Sequence, residues 1–89
     1  MSANDKWEEK DGALERAFLF EGFADAMTFM VRCAFHAEAM DHHPEWTNVY
    51  NRVHVRLTTH DAGNTVTEKD RELARRMDAV YAACRHPEN

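Results

Sequence analysis

A chain of 89 residues has room for one hydrophobic core, so residues 1–89 read as a single domain, and 44% hydrophobic with 30% charged residues argues against disorder. Eleven Lys and Arg against sixteen Asp and Glu leave a net charge of −5, which disfavours nucleic acid or an anionic membrane as a direct partner. No apolar run reaches the roughly 18–20 residues of a membrane span, and Met1-Ser2-Ala3-Asn4-Asp5 lacks the basic-then-apolar order of a secretory signal. A soluble, cytoplasmic protein is expected, small enough to enter the nucleus unaided.

In chain order, Asp11-Gly12 is a hairpin signal, with Trp7–Lys10 as the short first strand and Ala13–Phe20 as the second. Leu14, Phe18 and Phe20 share one parity along that second strand, interrupted by Arg16. From Phe23 the period changes. Phe23, Met27, Met30, Ala34 and Ala37 follow 4-3-4-3 steps and predict the core face of a helix, while Phe29, Cys33 and Met40 form an adjacent stripe. The combined arc is wider than one small sheet can cover, and it predicts a partner helix from a second subunit.

Pro44 pushes His43 out of the α region, so the helix must stop near His42. Thr47–Tyr50 and Val53–Thr59 read as strands, the latter with Val53, Val55, Leu57 and Thr59 on one face and His54, Arg56, Thr58 and His60 on the other. Asp61-Ala62-Gly63-Asn64 turns the chain. Thr67-Glu68-Lys69-Asp70 has capping-box spacing and opens a second helix, whose core stripe is Leu73, Met77, Val80 and Cys84 beside Ala74 and Tyr81. Strand, strand, helix, strand, strand, helix is the order of an α+β fold: a four-stranded antiparallel sheet with two long helices packed on one face. Cys33 and Cys84 lie in helix stripes with no CxxC spacing, and read as buried free thiols rather than a disulfide or a nucleophile.

Four of the six histidines, His42, His43, His54 and His60, fall within one stretch of nineteen residues. Glu38 and His42 are four apart and so share a helix face, His43 leaves the helix beside Pro44, and a strand returning from Thr47 would bring His60 toward them. Three readings follow. Two or three His with Glu38 offer metal ligands, although adjacent His-His is poor spacing for one tetrahedral ion and no HExxH is present. His42 as a helix C-terminal cation and His60 as a solvated strand end form the structural alternative. The third is acid–base catalysis, in which one imidazole donates while another accepts near neutral pH, beside Trp46 and Tyr50 as walls of a planar pocket.

Glu38-x-x-x-His42-His43-Pro44-Glu45-Trp46, Tyr50-Asn51, Thr58-Thr59-His60-Asp61 and Asp70 resemble the signature of the pterin-4a-carbinolamine dehydratases. The carriers are a His-His-Pro core, an aromatic six positions after Pro44, a third His after nine further residues, and a closing Asp. The likeness runs from Trp7 through Phe18, Phe20, Phe23 and Phe29 to Leu73 and Ala74, without the extension that animal members carry ahead of the first strand and with a slightly longer loop between His60 and Asp70.

The resemblance implies dehydration of a 4a-hydroxytetrahydropterin, made by aromatic amino acid hydroxylases, to quinonoid dihydropterin in tetrahydrobiopterin recycling. It implies no metal and no organic cofactor. By position, His42 and His60 would be the acid–base pair, His43 chiefly a substrate-binding and orienting group, Thr58 and Thr59 hydrogen-bonding groups for the pterin, and Trp46 a flank of the site. Glu38 is expected either to orient His42 or to be an ordinary surface pair, Asp61 to neighbour His60 or start the turn, and Asp70 to cap the helix. His36, His54 and His86 are expected at the surface. The resemblance also implies a rival role as dimerisation cofactor of a homeodomain transcription factor, through the apolar arc around Phe29, Cys33 and Met40.

Overall fold

The Asp11-Gly12 turn has φ of 53° and 79°, the left-handed pair that a two-residue hairpin requires, and it joins β1 (Glu8–Lys10) to β2 (Ala13–Leu19). The computed structural model describes residues 6–84. Beyond β2 come α1 (Phe23–Met40), β3 (Glu45–Val49), β4 (Arg52–Leu57), a 3₁₀ turn (His60–Ala62) and α2 (Glu68–Cys84). The sheet is antiparallel throughout, in the order β1-β2-β4-β3, so α1 carries the chain over β4 between the two parallel strands that flank it. The expected α+β fold, with both helices on one face of four strands, is the one observed.

Alternation along β4 builds the core. Val53, Val55 and Leu57 are fully buried beneath the helices, against Leu14 and Phe18 of β2 and Leu73, Met77 and Val80 of α2. Arg16, the polar break in the β2 pattern, also turns inward. Its guanidinium meets the Asp78 carboxylate at 2.8 Å and lies 4.4 Å over the Phe18 ring, and the Trp7 indole N–H donates to the same carboxylate. Cys33 is buried and Cys84 half-buried, and both are free thiols.

The core face of α1 differs from the expected one. Ala26, Phe29, Cys33 and Ala37 are buried, whereas Phe23, Val31 and Phe35 are 51%, 56% and 73% exposed. Phe29 and Cys33 therefore belong to the interior, with Met40 packed against it, and none of the three forms an outer binding face. A helix apolar around so much of its circumference gives periodicity no polar side against which to orient the stripe. The strands also shift by a residue or two: β3 begins at Glu45, directly after Pro44, and β4 ends at Leu57.

Candidate active site

The topology gathers one end of the sheet. The C-terminus of α1, the start of β3, the end of β4, the β1–β2 turn and the start of α2 all meet there. They enclose a cavity of about 420 Å³, whose wall includes His42, His43, Thr58, Thr59, His60 and Asp61. That volume lies in the range of small-molecule sites.

His42 is placed by the way α1 ends. Asp41 adopts the left-handed conformation (φ 52°, ψ 44°), its N–H donates to the Glu38 carbonyl, and the His42 N–H reaches back to the Ala37 carbonyl at 3.0 Å. These two bonds form a Schellman motif, with Asp41 where Gly is commoner. The motif turns the His42 ring inward, where Nε2 meets Asp70 Oδ1 at 2.5 Å. Asp70 is fully buried on the first turn of α2, and it also accepts hydrogen bonds from the Thr59 hydroxyl at 2.7 Å and the Thr67 N–H at 2.9 Å. Burial pushes its carboxyl up, but the bonds from His42, Thr67 and Thr59, with the charge of His42 beside them, outweigh that and hold it below the ordinary carboxylate value. Asp70 thus caps α2, as expected, and is also the acceptor that fixes His42. With the carboxylate at Nε2, His42 Nδ1 has no partner among the described residues, and the ring belongs to the cavity wall.

The other two rings are tied in the same manner. His43 Nε2 bonds Glu38 Oε1 at 3.2 Å, both side chains largely exposed, so Glu38 partners His43 and not His42. The i,i+4 spacing of Glu38 and His42 misleads because the helix ends before His42. His60 opens the 3₁₀ turn, and its Nδ1 bonds Asn64 Oδ1 at 2.7 Å. Since Oδ1 only accepts, Nδ1 carries the proton and Nε2 is left open. Each of the three imidazoles has one nitrogen held by an oxygen acceptor, and the other has no partner among the described residues.

Thr58 and Thr59 line the cavity, but their hydroxyl protons go to the Gly12 carbonyl and the Asp70 carboxylate. Trp46 turns to the helix side opposite Val55 and packs on the core instead of lining the cavity. Tyr50 sits at the β3–β4 turn, at the opposite end of the sheet, 63% exposed and with φ of 52°. Asp61 lines the cavity beside His60, while Asp41, Arg56 and Lys69 bring charges that motif reading passed over. His54 bonds Glu15 on the helix-free face of the sheet, His36 is half-buried, and His86 lies outside the described residues. Burial pushes the Cys33 thiol up to about 12, with Cys84 nearby adding to the shift, so Cys33 supplies no thiolate near neutral pH. Among the described residues, no three His, Cys, Asp or Glu side chains are grouped so as to hold a metal ion.

Residues 1–80 match the family profile "Pterin 4 alpha carbinolamine dehydratase". The chain belongs to the pterin-4a-carbinolamine dehydratase family, a family of hydro-lyases. Relatives bearing the dehydratase's name include one from Opitutus terrae, 60% identical over 74 residues (83% of this chain, 76% of the relative), and one from a Chelativorans species, 52% identical over 85 residues (93% and 85%). Among solved structures, a transcriptional coactivator/pterin dehydratase from Brucella melitensis superposes with a TM-score of 0.83 at 48% identity, covering 86% of this chain and 83% of the other. A pterin dehydratase-like protein described as a RuBisCO assembly factor in the alpha-carboxysome superposes with a TM-score of 0.74 at 25% identity, covering 88% and 92%. The pterin-4a-carbinolamine dehydratase fold thus spans proteins described in different roles, and the local chemistry at this chain's own cavity is what bears on its activity. No helix among the described residues is long and apolar enough to cross a membrane.

Proposed function

We propose that this protein dehydrates a 4a-hydroxytetrahydropterin by histidine general acid–base catalysis, in the recycling of tetrahydrobiopterin. The observation carrying this reading is that His42, His43 and His60 line one cavity, each with one ring nitrogen anchored and the other without a partner among the described residues.

The reaction asks for two proton movements. The ring N–H beside C4a loses its proton, and the electron pair released forms the C=N bond as the C4a–O bond breaks. The departing oxygen takes up a proton and leaves as water. Two imidazoles of one cavity, one protonated and one neutral, meet both demands near pH 7. His42, braced by a buried carboxylate, and His60, on the 3₁₀ turn in the same cavity wall, are the acid–base pair. His43 is the more exposed ring and orients the substrate. Thr58 and Thr59, whose protons are already committed, offer the pterin acceptor oxygens. The test is turnover of His42→Ala and His60→Ala, each expected to lose about 100-fold or more in kcat with the fold intact. Unchanged turnover in both removes the chemistry.

The outer face of α1 supports a second role. Phe23, Val31 and Phe35 are apolar and exposed along one side of that helix, a surface suited to a second copy of the chain in a homodimer or homotetramer, or to another protein. A homeodomain transcription factor is the partner carried by the rival reading, whereas an aromatic amino acid hydroxylase, as the source of the substrate, is the partner that goes with the enzyme reading. Co-sedimentation with such a partner, retained in the His60→Ala variant and lost on Phe35→Glu, would separate this role from catalysis.

A further inference from the structure

We propose that Asn64 is the positioning residue for His60, its side-chain carbonyl holding Nδ1–H so that Nε2 is the nitrogen that exchanges a proton with the pterin. The proposal rests on the acid–base reading of His60 given above. Asn64 stands outside the cavity wall, so it acts through the ring and not on the substrate.

Three observations carry it. The first is the contact itself, Nδ1 to Oδ1 at 2.7 Å, the one side-chain hydrogen bond of the His60 ring among the described residues. His60 is otherwise exposed on a three-residue turn, where nothing buries the ring into a single orientation. The second is that the loop is shaped to deliver Asn64. Gly63 and Asn64 have φ of 82° and 60°, the Asn64 N–H donates to the Thr59 carbonyl at 3.1 Å, and Thr59 is bridged to Thr65. Asn is among the few residues with a side chain that take the left-handed region readily. The third is the backing of the loop from across the sheet. A Cβ on Gly12 would stand 2.4 Å from the Asn64 carbonyl oxygen, so the β1–β2 turn abuts the loop, and Thr58 donates to the Gly12 carbonyl from the same side.

The consequence is an asymmetry between the two rings. His42 is held at Nε2 and leaves Nδ1 unbonded among the described residues, whereas His60 is held at Nδ1 and leaves Nε2 so. A free imidazole populates both tautomers, so removing the Asn64 acceptor leaves His60 with the proton on the wrong nitrogen for part of the time and the ring free to turn.

The experiment uses the full chain with ¹⁵N-labelled histidine. Ring ¹H–¹⁵N correlation spectra, recorded above the titration of the ring, read the tautomer, while steady-state turnover reads kcat and KM. Asn64→Gly keeps the backbone conformation and removes the acceptor. Asn64→Asp restores an acceptor oxygen at the same place. For wild type, His60 is expected as Nδ1–H. Asn64→Gly is expected to convert it to a mixture and to lower kcat roughly tenfold with KM within about twofold. Asn64→Asp is expected to return the Nδ1–H form and most of the turnover. An unchanged His60 tautomer with kcat within about twofold in Asn64→Gly overturns the proposal, as does an Asp variant that restores neither. The two readings fail separately. Full activity in His60→Ala removes the acid–base role of His60, while the spectra still report whether Asn64 sets the tautomer.

Discussion

The imidazole of His42 and the carboxylate of Asp70, 28 positions apart in the chain, meet at 2.5 Å with Asp70 fully buried. Thr67 and Thr59 continue the contact. The Thr59 hydroxyl donates to Asp70, so in the 2.7 Å contact between the two threonines Thr67 is the donor. The end of one helix is thereby tied to the start of the other through a closed set of polar contacts, and no buried polar side-chain atom among the described residues lacks a partner. Removing the carboxylate strands three donors at once. Asp70→Ala is expected to cost about 3 kcal/mol in urea unfolding and at least tenfold in kcat. Asp70→Asn, which keeps the shape, is expected to lose turnover more than stability.

Stability should carry the signature of the same carboxylate. Its folded pKa lies below the ordinary value, so its stabilisation is complete above the unfolded value of about 3.9 and is lost as pH falls through the lower folded value. Urea midpoints measured from pH 7 down to acid should show the gap between wild type and Asp70→Asn closing only in that acid window. A gap that closes between pH 6 and 7 would contradict it.

Gly12 and Gly22 make a matched pair. At Gly12 the φ of 79° and the Asn64 carbonyl 2.4 Å from a prospective Cβ leave no room for a side chain, and Gly12→Ala is expected to cost about 1–3 kcal/mol and to lower turnover by displacing the His60 loop. Gly22, the N-cap of α1, is extended at φ −158° with nothing within 4 Å of a Cβ, so Gly22→Ala should cost only about 0.5 kcal/mol and leave turnover alone. Thermal unfolding and kcat of the two variants check both halves.

The exposed side of α1 predicts self-association. Sedimentation should find the wild-type chain larger than a monomer, and Phe35→Glu should shift it toward monomer while far-ultraviolet circular dichroism stays unchanged. A wild-type protein that sediments as a clean monomer contradicts the prediction.

The element order and the inward face of β4 were legible in the sequence because alternation and turn chemistry act locally. The convergence of His42, His43 and His60 was legible through their motif. The partners of those rings were not, because they depend on where the helix ends. One residue of left-handed backbone at Asp41 moves His42 from the Glu38 face to Asp70, and the capping-box spacing that explains Asp70 locally gives no sign of a second partner 28 residues upstream. Trp46 and Tyr50 illustrate a different limit. Residues close to the motif in sequence are spread by a strand, one onto the core and the other to the far end of the sheet. The core stripe of α1 was hidden by an excess of apolar residues and not by a lack of them.

The central claim is tested most directly by generating a 4a-carbinolamine pterin in situ with a hydroxylase and following its decay with and without the protein, in the presence of a chelator. The account predicts accelerated decay that survives chelation and disappears in the His60→Ala variant. Decay at the uncatalysed rate with the folded wild-type protein, or acceleration lost on chelation and restored by zinc, would contradict it.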